Sequence, residues 1–282
     1  MAQFTKALAS DYNTVRNTVA DVLGTGSSTR GYGSSVTSNT VSVGAIITAT
    51  QFTALASDIN ACYRHITNAN AGSLSTIVSN NLITWANFVT YQSAATYIDT
   101  NRDTNGGTVT SSQTSKVLPA GWGNASGNRV ATALFTITFT DAEEKRYFFN
   151  RDGYISLSGS GASTGGTPKS NAFGALANGV STAYNRTNYR TTGDPGTQSQ
   201  YTSTSPYSLG GDPDGIFATI TAIGTNVFNG SIQCRDKGGD GSVASNVDID
   251  LTFYINLLNI SNTTGISAYT PSVSWGAWSY SA

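Results

Sequence analysis

Gln3-Phe-Thr-Lys-Ala-Leu-Ala-Ser-Asp-Tyr-Asn13 is followed, further along the chain, by Gln51-Phe-Thr-Ala-Leu-Ala-Ser-Asp-Ile-Asn60. Phe4 matches Phe52 and Asp11 matches Asp58, which requires one inserted residue after Thr5 in the first copy. Both copies place apolar residues at helical intervals with Ser, Thr, Asn and Asp between them, the pattern of a helix buried along one face. The chain therefore opens with a duplicated helical element, whose two copies are predicted to pack on each other. The inserted residue turns Phe4 by ~100° relative to the rest of its helix, so the copies need not make equivalent contacts.

Around the first copy, Phe4, Leu8, Tyr12, Val15, Val19 and Val22 form one continuous helical stripe that Gly24 and Gly26 end. Around the second, Thr48-Ala-Thr-Gln51 fits a capping box, so a helix starts there and buries Phe52, Leu55, Ile59, Cys62, Tyr63 and Ile66. A third helix is expected from about Leu82 to Ile98, with Leu82, Trp85, Ala86, Val89 and Tyr97-Ile98 in core or interface. Between Gly24 and Gly44 lies a Gly- and Ser/Thr-rich loop longer than most connections, read as disordered or as a contact device. It is not a phosphate cradle, because no Lys-Ser or Lys-Thr follows its glycines and no strand precedes them.

The chain changes character at Asp99-Thr-Asn-Arg-Asp-Thr-Asn105, an Asx-rich turn. Its alternating oxygens suggest a calcium loop, but Thr104 stands where the sharp-turn Gly belongs and Thr110 where the bidentate Glu belongs. From Val109 onward the period is mostly two. Phe135, Ile137 and Phe139 alternate with Thr136, Thr138 and Thr140, and Val247 to Leu257 alternate over a longer run. A strand is also expected within Ile216–Cys234, with Val273 to Trp278 closing the sheet. Asn171 to Val180 reads as a short helix, Asp141–Arg146 as a solvated turn, Thr187–Gly215 as a surface loop and Asp236–Gly241 as a hairpin connection. The fold class is α+β: a helical docking and assembly module over residues 1–105, then an antiparallel β-sandwich domain over residues 106–282.

Composition narrows function mainly by exclusion. Charged residues are 11% of the chain, under half the usual share, and the net charge is −1. With 15 Lys plus Arg there is no electrostatic footprint for nucleic acid. No basic segment followed by an apolar core opens the chain, and no run approaches ~18 apolar residues, so neither a classical secretion signal nor membrane insertion is expected. Cys62 and Cys234 have no local partner; a disulfide between them is open, and they are read as two buried free thiols.

Candidate chemistry is sparse. His65 is the single histidine and has no nucleophile beside it, and Cys62 with His65 makes two ligands where zinc takes four. Asp248 with Asp250, or Asp212 with Asp214, are the acid pairs available for glycoside cleavage, and they read as solvent-face carboxylates. No catalytic, cofactor-binding or metal residue is assigned, and no enzyme is expected.

Three phrases carry a family resemblance: Asp11-Tyr-Asn-Thr-Val-Arg-Asn-Thr-Val-Ala-Asp-Val-Leu-Gly-Thr-Gly26, Gly31-Tyr-Gly33 and Ile47-Thr-Ala-Thr-Gln-Phe52. They resemble the N-terminal region of virion structural proteins of tailed bacteriophages, particularly tail-associated proteins of marine and cyanobacterial phages. Arg146-Tyr-Phe-Phe-Asn-Arg-Asp-Gly-Tyr-Ile155 resembles a phrase of their β domains, Phe-Asn-x-Gly-Gly before a strand, with Asp152 in place of the first Gly. The likeness covers about half of the chain and brings no catalytic residues. It implies a non-enzymatic tail, baseplate or fibre-associated virion protein, made in the host cytoplasm, whose partners are its own copies and other tail proteins. Phe4, Leu8, Tyr12, Phe52, Leu55 and Ile59 are the expected assembly interface. The alternatives are a capsid decoration protein and a module binding host-surface glycan through Tyr184, Tyr189, Tyr201 and Tyr207.

Overall fold

The computed structural model describes residues 8–25, 31–72, 74, 77, 83–104, 108–123, 129–164, 166–184, 198–204, 215–223, 226–236, 246–261, 266 and 269–281. Helices come first: α1 (Ala9–Leu23), α2 (Ala49–Thr67) and α3 (Trp85–Asn101). There follow β1 (Thr108–Leu118), β2 (Arg129–Thr138), α4 (Ala142–Asn150), β3 (Tyr154–Gly161), α5 (Pro168–Gly179), β4 (Ser181–Tyr184), β5 (Gln198–Thr204), β6 (Gly215–Ile223), β7 (Val227–Asp236), β8 (Leu251–Ser261), β9 (Ser272–Trp275) and β10 (Ser279–Ser281). The class is α+β, as the change of period from helical to two implies.

Two compact units divide the chain. The helical unit comprises Met1–Thr110, Glu143–Gly153 and Asn259–Tyr269, and the β unit the remainder. The boundary is thus not one cut at residue 105, because two segments from the β half of the sequence return to the helical unit. One of them contains α4, whose charge run is not a solvated turn. In Asp141–Arg146 the residues from Ala142 on are helical, and Lys145 and Arg146 are buried, where a solvated turn was expected. Tyr147, Phe148 and Phe149, which follow directly, draw this turn of helix out of water, and the cations are carried in with it.

In the helical unit the three long helices are parallel. Near their starts Tyr12 meets Phe52 edge-on at 5.6 Å, and Phe52 meets Tyr91 at 5.1 Å. Towards their ends Arg102, just past α3, pairs with Asp21 of α1 at 3.0 Å. Parallel neighbours need a connection as long as the helix, and this explains the long loop after Gly24. The segment from 31 first closes the end of α1: the N–H groups of Tyr32, Ser34 and Gly33 donate to the carbonyls of Val22, Leu23 and Gly24. It then runs back along α1 and α2, where Ser38 O accepts from Arg16 and Val41 exchanges two hydrogen bonds with Asn13. Thr48 and Gln51 form the predicted capping box, and Thr84 with Asn87 caps α3 in the same way.

The β unit holds two sheets in a sandwich arrangement, ordered β1-β8-β3-β4 and β10-β2-β7-β6-β5, with β9 also pairing β2. Inward residues alternate as the period-two pattern requires: Ala131, Ala133, Phe135 and Ile137 on β2, and Leu251, Phe253, Ile255 and Leu257 on β8. Tyr184 of one sheet packs on Phe228 of the other at 4.8 Å. Lys169 of α5 and Asp236 of β7 form a buried pair at 3.0 Å. Because β7 and β8 lie in different sheets, the stretch after Asp236 joins sheets and is not a hairpin turn; residues 237–245 lie outside the described residues. The expected single strand within 216–234 is the β6–β7 hairpin, and β5 lies inside the stretch read as a surface loop.

Candidate functional site

Parallel packing brings all three helix N-termini to one end of the helical unit. Each cap is locally specified: Asp11 accepts from the Leu8 N–H at 2.9 Å, and the Thr48 and Thr84 boxes close the other two. Among exposed hydroxyls of Ser10, Ser42, Thr48, Thr50 and Thr84, this end also shows large apolar side chains to solvent. Leu8 is 60% exposed, Val43 95%, Ile46 85% and Trp85 40%, with Val89 one turn further along α3. Val43 stands at the tip of a turn closed by Ala45 N–H to Ser42 O, in which Gly44 has φ +83 as position three of a type II turn requires. Asp11 is the single charged residue in 8–11, 41–51 and 83–92, and its carboxylate is engaged by the Leu8 cap.

The six residues expected at an assembly interface separate on the structure. Tyr12, Phe52, Leu55 and Ile59 are fully buried and form the core between the helices, so they hold the module together and offer no surface to a partner. Leu8 precedes the helix as its cap residue and is exposed, while Phe4 lies outside the described residues. α3 is rotated from the expected phase. Phe88, Tyr91, Ala94, Ala95 and Ile98 face the core, and Trp85, Ala86, Val89 and Tyr97 face out; Leu82 lies outside the described residues. The stripe missed by the sequence reading rests on two alanines, which a search for large residues passes over.

At the other end of the helices, α4 grips the loop that closes α1. Arg146 Nη1 donates to Thr25 O at 2.9 Å, Asn150 Nδ2 to Gly31 O at 2.9 Å, and Arg151 Nε to Tyr32 O at 2.7 Å. Arg151 also lies over the Tyr269 ring at 4.5 Å, and burial pushes its guanidinium down to about 10. Gly33, at φ +71, sits so close under Tyr147 that a Cβ would run into the ring. The Gly/Ser/Thr-rich loop is therefore a contact device internal to the helical unit over its described residues.

Burial pushes the Tyr12 phenol up to about 12, against the opposing pull of Arg16, and pushes the Cys62 and Cys234 thiols up as well; both cysteines are free and buried. His65 is buried with its ring 4.5 Å from that of Tyr32, a core position. Asp99 and Asn101 end α3, and the Asp99 carboxylate engages Arg102, so the Asx-rich stretch begins as the last helical turn. Among the described residues no group of three or more His, Cys, Asp or Glu is placed to hold a metal. Asp248 and Asp250 precede β8 and do not share a strand face; Asp250 accepts from the Ala120 N–H at 2.7 Å, and Asp212 with Asp214 lies outside the described residues.

Of the four tyrosines read as glycan contacts, Tyr184 is fully buried against Phe228 and is withdrawn from that role. Only the backbone of Tyr201, in β5, is described, and Tyr189 and Tyr207 lie outside the described residues. No protein-family model, curated protein or solved structure matches this chain. Among the described residues no helix is long and apolar enough to cross a membrane.

Proposed function

We propose that this chain is a non-enzymatic structural protein of a tailed-bacteriophage virion, a tail, baseplate or fibre-associated component that docks onto a second copy of itself through the N-terminal end of its helical module. The observation that supports this reading is the ordered apolar end formed by Leu8, Val43, Ile46 and Trp85. Apolar side chains held in water by caps and a closed turn favour burial against another surface. A second copy is the occupant because Asp11 is the one charged side chain at this end, already engaged by the Leu8 cap, so little charge opposes a like surface, and the chain as a whole is nearly neutral. The phage setting comes from the phrases Asp11–Gly26, Gly31–Gly33 and Ile47–Phe52, two of which reach the Asp11 and Thr48 caps of this region.

Sedimentation velocity on the full chain tests the reading. It predicts reversible association that survives raised salt, since apolar burial is little screened. Val43→Ser with Ile46→Ser should weaken it by about 100-fold or more in Kd while leaving the fold intact, because ~2 exposed aliphatic groups are lost from the interface. A chain that stays monomeric at high concentration, together with virion images showing no copy in the tail, overturns the proposal. Density on the head would move the assignment to capsid decoration.

A further inference from the structure

We infer that the cavity beside Trp122 in the β unit binds a sugar ring that carries a carboxylate. The cavity, of about 150 Å³, is lined by Pro119, Ala120, Gly121, Trp122, Arg129 and Tyr280. Its frame is firmly built. Gly121 N–H donates to Val247 O, Val247 N–H donates to Trp122 O, and the Trp122 ring meets Phe173 edge-on at 4.9 Å. Gly121 has φ +87, and nothing lies within 4 Å of where its Cβ would be, so the turn leaves open space above it.

The chemistry comes from Arg129 and Tyr280. Strand register sets Tyr280 opposite Ala131, two residues along β2 from Arg129 and on the same face. The guanidinium carbon lies 5.8 Å from the centre of the Tyr280 ring, and Nη1 donates to Gly123 O at 3.0 Å. One edge of the fork is thus held, and Nε and Nη2 have no acceptor among the described residues. Nearby carboxylates are committed elsewhere: Asp250 to the Ala120 N–H, Asp236 to Lys169. Tyr280 is 48% exposed, a large ring kept half in solvent at a sheet edge.

A fixed guanidinium fork matches the two oxygens of a carboxylate, and an exposed aromatic face matches the C–H face of a sugar. One cation in a shallow cavity suits a single negative charge better than a doubly charged phosphate. The volume fits about one ring, well below the usual drug-sized pocket. This site is independent of the docking reading, since it lies on the other unit and is read by saccharide binding, not by association state.

Galacturonate, galactose and inorganic phosphate, titrated into the full chain with calorimetry or ligand-observed NMR, provide the test. Galacturonate should bind about tenfold or more tighter than galactose. Arg129→Gln should erase that preference, and Tyr280→Ala should weaken both sugars. Both side chains are exposed, so an unchanged melting temperature will show that each variant folds. No galacturonate binding up to about 10 mM, equal binding of acid and neutral sugar, insensitivity to both variants, or competition by phosphate at equal strength would each overturn the inference.

Discussion

Ala9-Ser-Asp-Tyr-Asn13 and Ala56-Ser-Asp-Ile-Asn60 are nearly the same sequence on parallel helices, yet their side chains do different work. The first begins its helix and the second sits half-way along. Asp11 therefore finds an open helix end and accepts one bond from Leu8. Asp58 is buried and accepts from Thr37 N–H, Thr37 Oγ1 and Ser38 N–H at 3.0, 2.6 and 2.8 Å. Asn13 exchanges two bonds with Val41, whereas the Asn60 carbonyl accepts from Ala71. The apolar positions behave alike: Tyr12 and Ile59 are both buried in the shared core, and Ala9 and Ala56 are both partly buried against it. A helical apolar face survives a change of context, and a polar side chain takes whatever backbone group its new surroundings leave unpaired.

That contrast can be broken by mutation. Asp58→Ala should cost the most, about 3 kcal/mol in urea unfolding, since it orphans the buried Ser38 N–H together with two part-buried donors on Thr37. Asn13→Ala should follow at about 2 kcal/mol through the loss of its paired bonds to Val41. Tyr12→Phe should cost about 1 kcal/mol at neutral pH, for the bond to Gln51 O, and should also change the alkaline limb. The folded phenol titrates near 12 and the unfolded one near 10, so the stability it confers is complete below 10 and lost as pH rises through 12. The variant should hold a larger share of its neutral-pH melting temperature at pH 11, with residual loss from the other raised tyrosines, Tyr63, Tyr91 and Tyr147. Asp11→Ala should be smallest, about 0.5 kcal/mol, as an exposed cap contact. Equal costs for Asp11→Ala and Asp58→Ala would remove the asymmetry altogether.

Much of the fold was legible in short-range signals. The Thr48 box, the Gly24 stop, the buried faces of α1 and α2 and the alternation in β2 and β8 all follow from local spacing. Long-range consequences were not. Asp141–Arg146 looks like surface by charge alone, and only the packing of Tyr147, Phe148 and Phe149 takes Lys145 and Arg146 inside. Tyr184 looks like a loop aromatic, but β4 ends on it inside the sandwich. The apolar end at Leu8, Val43, Ile46 and Trp85 draws on three separate stretches, which no window on the sequence joins. One clue was present: so long a connection after α1 suits parallel helices and is wasteful for antiparallel ones.

By itself, then, the sequence determined the period of each segment, the caps and stops of its helices, the α+β class and the scarcity of charge, because these depend on residues within a few positions of one another. Tertiary structure alone decided that the helices run parallel, which copy of the repeated phrase caps and which anchors a loop, and that α4 joins the helical unit. Those outcomes depend on which backbone groups and apolar faces are left to be satisfied once distant segments meet, and burial of the whole core, not local preference, selects among them.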